Sequence, residues 1–289
     1  MFRGSFVALA TPFTSEYEID FEAYGRLIDR QIEHGTQGLV PCGCTGEAAT
    51  LDHDEQEECI RFTVERVAGR VPVVAGTGSN NTQEALRLTR AAKEAGADGA
   101  LLITPYYNKP VPAGQIAHYQ TIAEQVDIPV VLYNVPGRTG TNMLPDTVAE
   151  LSEIKNIVAI KESSGNVDQA AQMMSLSDIT VLSGDDYLTM PMMALGGQGV
   201  ISVAANVVPK HVAHLVEACL NNKMDKAREL HYELLPLFKG LFIETNPIPL
   251  KSVLAKIGLC EDVVRLPLTA LPSEKADKLD PILKNLGLM

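Results

Sequence analysis

Eight short β-prone runs recur along the chain: FVALA at 6–10, GLVPCG at 38–43, VPVVAG at 71–76, GALLIT at 99–104, PVVLYN at 129–134, IVAIKE at 157–162, ITVLSG at 179–184 and GVISVA at 199–204. Each is continuously apolar rather than alternating, as expected of parallel strands covered on both faces. Parallel strands need long crossover connections, usually helical, and the intervals carry helix punctuation. In SNNTQEALRLTRAAKEAGADG, amide and hydroxyl caps precede an acidic start, an Arg/Lys-rich second half and a stop at Gly96. Leu86, Leu88, Ala91, Ala92 and Ala95 supply its apolar side. The last two intervals are shorter, so the seventh connection is expected to be a brief helix. Eight such units predict an α/β fold, a closed (β/α)8 TIM barrel.

After about residue 208 the strand pattern stops. KHVAHLVEACLNNKMDKARELHYELLPLFKGLF, NPIPLKSVLAKIG and PSEKADKLDPILKNLG read as helices separated by prolines and glycines. The expected division is a catalytic barrel over 1–223 and a C-terminal helical domain over 224–289, the first helix covering the barrel and the rest forming an extension.

The charge balance, 24 Lys+Arg against 36 Asp+Glu for a net −12, argues against a nucleic-acid partner. No apolar run approaches the 18 residues of a spanning helix, so no membrane partner is expected, and MFRGSFVALATPF lacks the pattern of a signal peptide. Five scattered cysteines, Cys42, Cys44, Cys59, Cys219 and Cys260, fit a reducing cytoplasm better than a disulfide framework. Cys42 and Cys44 have no histidine near them in sequence, and the bare spacing of His211 and His214 is a weak metal signal. No metal site is expected.

In a barrel of this kind, chemistry gathers where the C-terminal ends of the strands meet their loops. Those ends carry TPF, GCTGEA, GTGSNN, TPYYNKP, YNVPGRTG, KESSG, SGDD and SVAAN. Lys161 stands at one of them, and by the two-residue strand period it shares a face with Ile157 and Ala159. A lysine attacks a carbonyl only when neutral, and at a reference pKa of about 10.4 roughly one amine in 2,500 is neutral at pH 7. Burial or a nearby cation lowers that pKa and makes the amine a nucleophile. The alternative is a structural lysine, salt-bridged to Glu162 or Asp185. Tyr133, ending VVLY, is placed to relay protons or merely to pack. Arg138, after the Pro136–Gly137 turn, is placed to bind a carboxylate bidentately or to lie on the surface. GCTGEA does not have the spacing of a dinucleotide fingerprint. As a strand-to-helix turn, its N–H groups and the Thr45 hydroxyl suit a carboxylate.

GCTGEAATL, AGTGSN, TPYYNKP, YNVPGRTG, IVAIKESSG, SGDD and GGQGVISV together give the chain an end-to-end resemblance to the dihydrodipicolinate synthase family of class I pyruvate-dependent aldolases and lyases. The resemblance implies a cytoplasmic lyase of lysine and diaminopimelate biosynthesis. Its substrates would be pyruvate and L-aspartate 4-semialdehyde, with no cofactor required. It implies that Lys161 forms the Schiff base, that Thr45 binds the pyruvate carboxylate, and that Arg138 binds the semialdehyde carboxylate. Tyr133 would relay protons with Tyr107 of an adjacent subunit, in a homotetramer built as a dimer of dimers, and Gly184 and Ile201 would line the pocket. Cys44 stands where the family usually has a threonine between the two tyrosines. A thiol is a weak donor and acceptor, so the relay is expected to be weakened or to run through altered geometry. The family's lysine-feedback cleft corresponds to Ala48, Ala49, His53, Gln56, Asn80, Glu84 and Tyr106. Ala48 and Gln56 depart from residues that can be serine and histidine in lysine-sensitive members.

Overall fold

The computed structural model describes residues 2–289. Its eight strands are β1 (Gly4–Ala8), β2 (Gly38–Val40), β3 (Val74–Gly76), β4 (Gly99–Ile103), β5 (Val130–Asn134), β6 (Ile157–Glu162), β7 (Thr180–Ser183) and β8 (Gly199–Ser202). All pair in parallel in the order β2-β1-β8-β7-β6-β5-β4-β3. A parallel bridge between Leu39 and Val73 joins the two ends of that series. It is reinforced where the Leu39 N–H donates to Pro72 O (3.0 Å) and the Gly76 N–H to Pro41 O (2.9 Å). The sheet is thus a TIM barrel, thinnest between β2 and β3, where Pro41 and Pro72 have no N–H to give to a ladder. All eight predicted runs contain a strand. The first begins and ends two residues earlier than expected, because the Ala10 N–H is taken by the Asn206 side chain (3.1 Å) instead of a neighbouring strand.

The helices are α1 (Phe21–Glu33), α2 (His53–Val67), α3 (Thr82–Glu94), α4 (Pro112–Gln125), α5 (Pro136–Thr139), α6 (Pro145–Ser152), α7 (Val167–Leu176), α8 (Thr189–Ala194) and α9 (Pro209–Leu220). The extension adds α10 (Met224–Gly240), α11 (Ile248–Lys256), α12 (Ser273–Ala276) and α13 (Asp280–Asn285). Helix α3 matches its expected punctuation: Asn81 caps it by accepting from the Gln83 N–H (2.9 Å), and Gly96 follows at φ +88°. The seventh connection is a 3-10 turn and the six-residue α8.

Two apolar layers flank the strands. Phe6, Ala8, Val40, Val74, Leu101, Val131, Ala159, Leu182 and Ile201 fill the barrel, while Leu102, Val130, Leu132 and Ile160 pack outward under the helices. Burial of such a side chain contributes on the order of 1.5–3 kcal/mol. One expectation is corrected. Ile157 packs outward with Ile160, and Val158 packs against the interior, because the β5/β6 register slips by one residue between Val130–Ile157 and Val131–Ala159. Above the slip the two-residue period resumes, leaving Ala159 and Lys161 on the axis side.

The long helix expected after residue 208 is broken at Asn221–Lys223, where Asn222 adopts φ +54°. Both pieces join the core of the barrel wall, with Val212, Leu215 and Val216 of α9 and Leu234, Leu237 and Phe238 of α10 packed together with Val7 and Leu9. A buried ion pair adds a second attachment. Lys251 on α11 is fully buried and donates to Glu47 Oε1 (2.6 Å) and Val263 O (2.6 Å), its ammonium 4.0 Å from the Phe13 ring centroid. The Arg265 N–H donates to the other Glu47 oxygen (3.1 Å). Burial pulls the Lys251 pKa down, against the pull of Glu47. Removing one partner of such a pair strands the other, at a cost of about 3–5 kcal/mol. Lys251→Met is therefore expected to lose about that much in urea unfolding, and Glu47→Gln/Lys251→Met to recover part of it. A double variant as unstable as Lys251→Met would show that the pair is not coupled.

Candidate active site

Lys161 rises from β6 into the C-terminal end of the barrel and is only 5% exposed. The lysine ion pairs among the described residues involve Lys226, Lys251, Lys256, Lys275 and Lys278, and Lys161 is not among them. The salt-bridged alternative fails on that point. Glu162 turns away, accepting from Asn134 Nδ2 (2.9 Å) and the Ser164 N–H (2.7 Å). The Lys161 ammonium instead lies 4.2 Å from the Tyr133 ring centroid, a cation–π contact. Burial lowers its pKa, while Cys44, Asp185 and Asp186 raise it and Arg138 adds to the lowering.

Tyr133 is set opposite Lys161 by the β5/β6 register. Burial first, and then Cys44, push its phenol well above the usual value, while the Arg138 cation pulls it back. Cys44 is half-buried against the interior cluster that contains Tyr133 and Ile201. Asp185 is raised to about 6 by burial, with Lys161 opposing. Asp186 is held by the Ser202 hydroxyl and by the N–H groups of Val203 and Ala204 (3.0 Å each).

The loop after β2 is shaped by close backbone packing. A Cβ at Gly46 would lie 3.0 Å from Leu9 O, and Glu47 is forced to φ +54°, a left-handed conformation held by its pairing with Lys251. Glu47 N and Ala48 N donate back to Cys44 O (3.2 Å) and Gly43 O (3.3 Å). The N–H groups of Thr45 and Gly46 donate to no group among the described residues, leaving two adjacent donors beside the buried Thr45 hydroxyl. That hydroxyl accepts from Asn246 Nδ2 (3.0 Å), and Arg138 donates to the Asn246 carbonyl (2.8 Å). Asn246, from the extension, therefore links two residues that the sequence placed on separate loops.

Gly184 follows β7, and a Cβ there would stand 1.8 Å from Ser163 Oγ and 3.0 Å from Lys161 Cε and Cγ. Ile201 is 1% exposed inside the barrel. A cavity of about 410 Å³ is lined by Cys44, Tyr133, Arg138 and Asn246, and it extends to Ala48, Ala49, His53, Gln56, Glu84 and Tyr106. Thr45, Lys161, Gly184 and Ile201 are not part of that lining, and neither are Tyr107 and Asn80. Tyr107 is 89% exposed at φ +69°, and the Asn80 carbonyl accepts from Asn108 Nδ2 (2.8 Å). The sequence reading missed Glu47, Asn246 and Ser163; the polar residue preceding the prolines of NPIP was the available signal for Asn246.

Asp185 raises the Lys161 pKa, so removing its charge lowers that pKa further. Asp185→Asn is expected to move the pH at which half the Lys161 amine is neutral downward, read as the acid limb of a pH profile for carbonyl capture by Lys161. An unmoved limb would remove Asp185 from the electrostatics of the site.

The model of the dihydrodipicolinate synthetase family matches residues 1–286. The 4-hydroxy-tetrahydrodipicolinate synthase of Pelobacter propionicus is 53% identical over 291 aligned positions, covering 100% of both chains. The crystal structure of dihydrodipicolinate synthase from Aquifex aeolicus superposes with a TM-score of 0.98 at 51% identity, covering 99% of each chain. That of the Acinetobacter baumannii enzyme complexed with pyruvate gives a TM-score of 0.98 at 41% identity, covering 100% of each chain.

Proposed function

The chain belongs to the dihydrodipicolinate synthetase family, and from that premise we propose that Lys161 condenses pyruvate with L-aspartate 4-semialdehyde as a Schiff base. The product is 4-hydroxy-tetrahydrodipicolinate, in lysine biosynthesis. The observation that carries this reading is a buried amine that makes no salt bridge among the described residues and whose pKa is lowered by burial. Its neutral form attacks the pyruvate ketone carbon, and loss of water leaves a protonated imine. This electron sink acidifies the methyl group, which gives up a proton to become an enamine. The enamine carbon attacks the aldehyde, whose oxygen takes up a proton. The amine of the semialdehyde then adds to the imine carbon, closing the ring and expelling the Lys161 amine.

The free N–H groups of Thr45 and Gly46, with the Thr45 hydroxyl, are suited to the pyruvate carboxylate. Arg138, anchored through Asn246, is suited to the semialdehyde carboxylate. Tyr133 relays protons beside Lys161, and Gly184 leaves space for the lysine stem. Tyr107 completes the relay from a neighbouring subunit, a role its exposure supports, in a homotetramer arranged as a dimer of dimers. Cys44 stands between the two tyrosines as a weak link. The outer cavity around Glu84 and Tyr106 is the proposed seat of L-lysine as an effector.

Borohydride reduction in the presence of pyruvate is expected to add the reduced adduct to the Lys161 peptide, and Lys161→Ala to abolish both adduct and turnover. A parent enzyme that turns over without an adduct on Lys161 would refute the mechanism. Dilution to monomers is expected to remove most activity as mass falls, because Tyr107 is then absent from the site. A fully active monomer would contradict the shared relay.

A further inference from the structure

Ser163 is a second hydroxyl-bearing residue at the reacting end of the barrel, and none of the roles above uses it. It follows β6 directly, and its N–H is fixed on Asn134 O (2.8 Å). Its Oγ is buried and has no hydrogen-bond partner, an arrangement that is costly unless something else satisfies it. The position that a Cβ would occupy at Gly184 lies 1.8 Å from this oxygen and 3.0 Å from two atoms of the Lys161 stem. The hydroxyl and the stem of the nucleophile therefore border the same space, which exists only because residue 184 has no side chain.

The Tyr133 ring underlies the Lys161 ammonium, its centroid 4.2 Å from Nζ. The Ser163 hydroxyl is one of the groups acting on that phenol, drawing its pKa down against burial. On the β2 side, position 44 offers only a thiol. Resting on the Schiff-base reading of Lys161, we propose that Ser163 is a positioning residue of the proton relay. Its hydroxyl holds the Tyr133 phenol toward the reacting atoms from the β6 side, supplying the hydroxyl link that Cys44 does not. A hydroxyl both donates and accepts, so it serves the phenol in either protonation state and itself gains the missing partner.

The test uses the intact enzyme with pyruvate alone in D2O, following exchange of the pyruvate methyl protons by NMR, alongside kcat and borohydride capture. Ser163→Ala is expected to slow methyl exchange and kcat together by about two- to thirteen-fold, the range of one neutral hydrogen bond expressed in the transition state. Imine capture at saturating pyruvate should be unchanged. Ser163→Thr should retain most of the exchange rate, and Cys44→Thr should restore it in the Ser163→Ala background. Unchanged exchange in Ser163→Ala would overturn the proposal. So would a loss that is accompanied by lost imine capture and rescued by neither threonine, since that pattern marks a packing role. If the parent forms no imine, the Schiff-base reading itself falls, an outcome distinct from imine formation with Ser163 silent.

Discussion

The active end of this barrel is organised around the burial of one lysine that makes no salt bridge among the described residues. Taking an ammonium out of water favours its neutral form, and burial lowers the Lys161 pKa. The fold supplies that environment through parallel strand geometry. The β5/β6 register sets the Tyr133 ring beside Lys161, and the alternation above the register slip keeps the side chain on the axis. Glu162, the nearest carboxylate in sequence, is turned outward to Asn134 and Gln169 and does not quench the amine.

The C-terminal extension is part of this arrangement. Lys251 and Arg265 hold Glu47, which fixes the left-handed turn that leaves the Thr45 and Gly46 N–H groups unengaged. Asn246 spans from the Thr45 hydroxyl to the Arg138 guanidinium. The groups suited to two carboxylates are thereby tied to one helical layer, and a disturbance of that layer reaches both. Lys161 and Lys251 make an instructive contrast. Burial lowers both pKa values, but one amine is paired and structural while the other is left free.

The strands and the strand-end residues were legible in the sequence because continuous apolar runs and terminal polar residues are local signals. Lys161, Tyr133 and Arg138 each ended or followed such a run, and the structure brings them to one end of the barrel. The β6 register slip was not legible, since it depends on pairing with β5, and it reversed the facing of Ile157 and Val158. Asn246 and Lys251 sit in a segment whose prolines read as helix punctuation; their partners are 201 and 204 residues away. Ser163 looks like any loop serine until the absent side chain of Gly184 shows what space it occupies.

The central claim is that the Lys161 amine is largely desolvated and unpaired, and its titration measures this directly. In protein labelled with 13C at the lysine ε carbons, the resonance lost in Lys161→Ala is expected to titrate below the reference value of about 10.4 for an unperturbed lysine. A Lys161 resonance titrating with the exposed lysines would contradict the account.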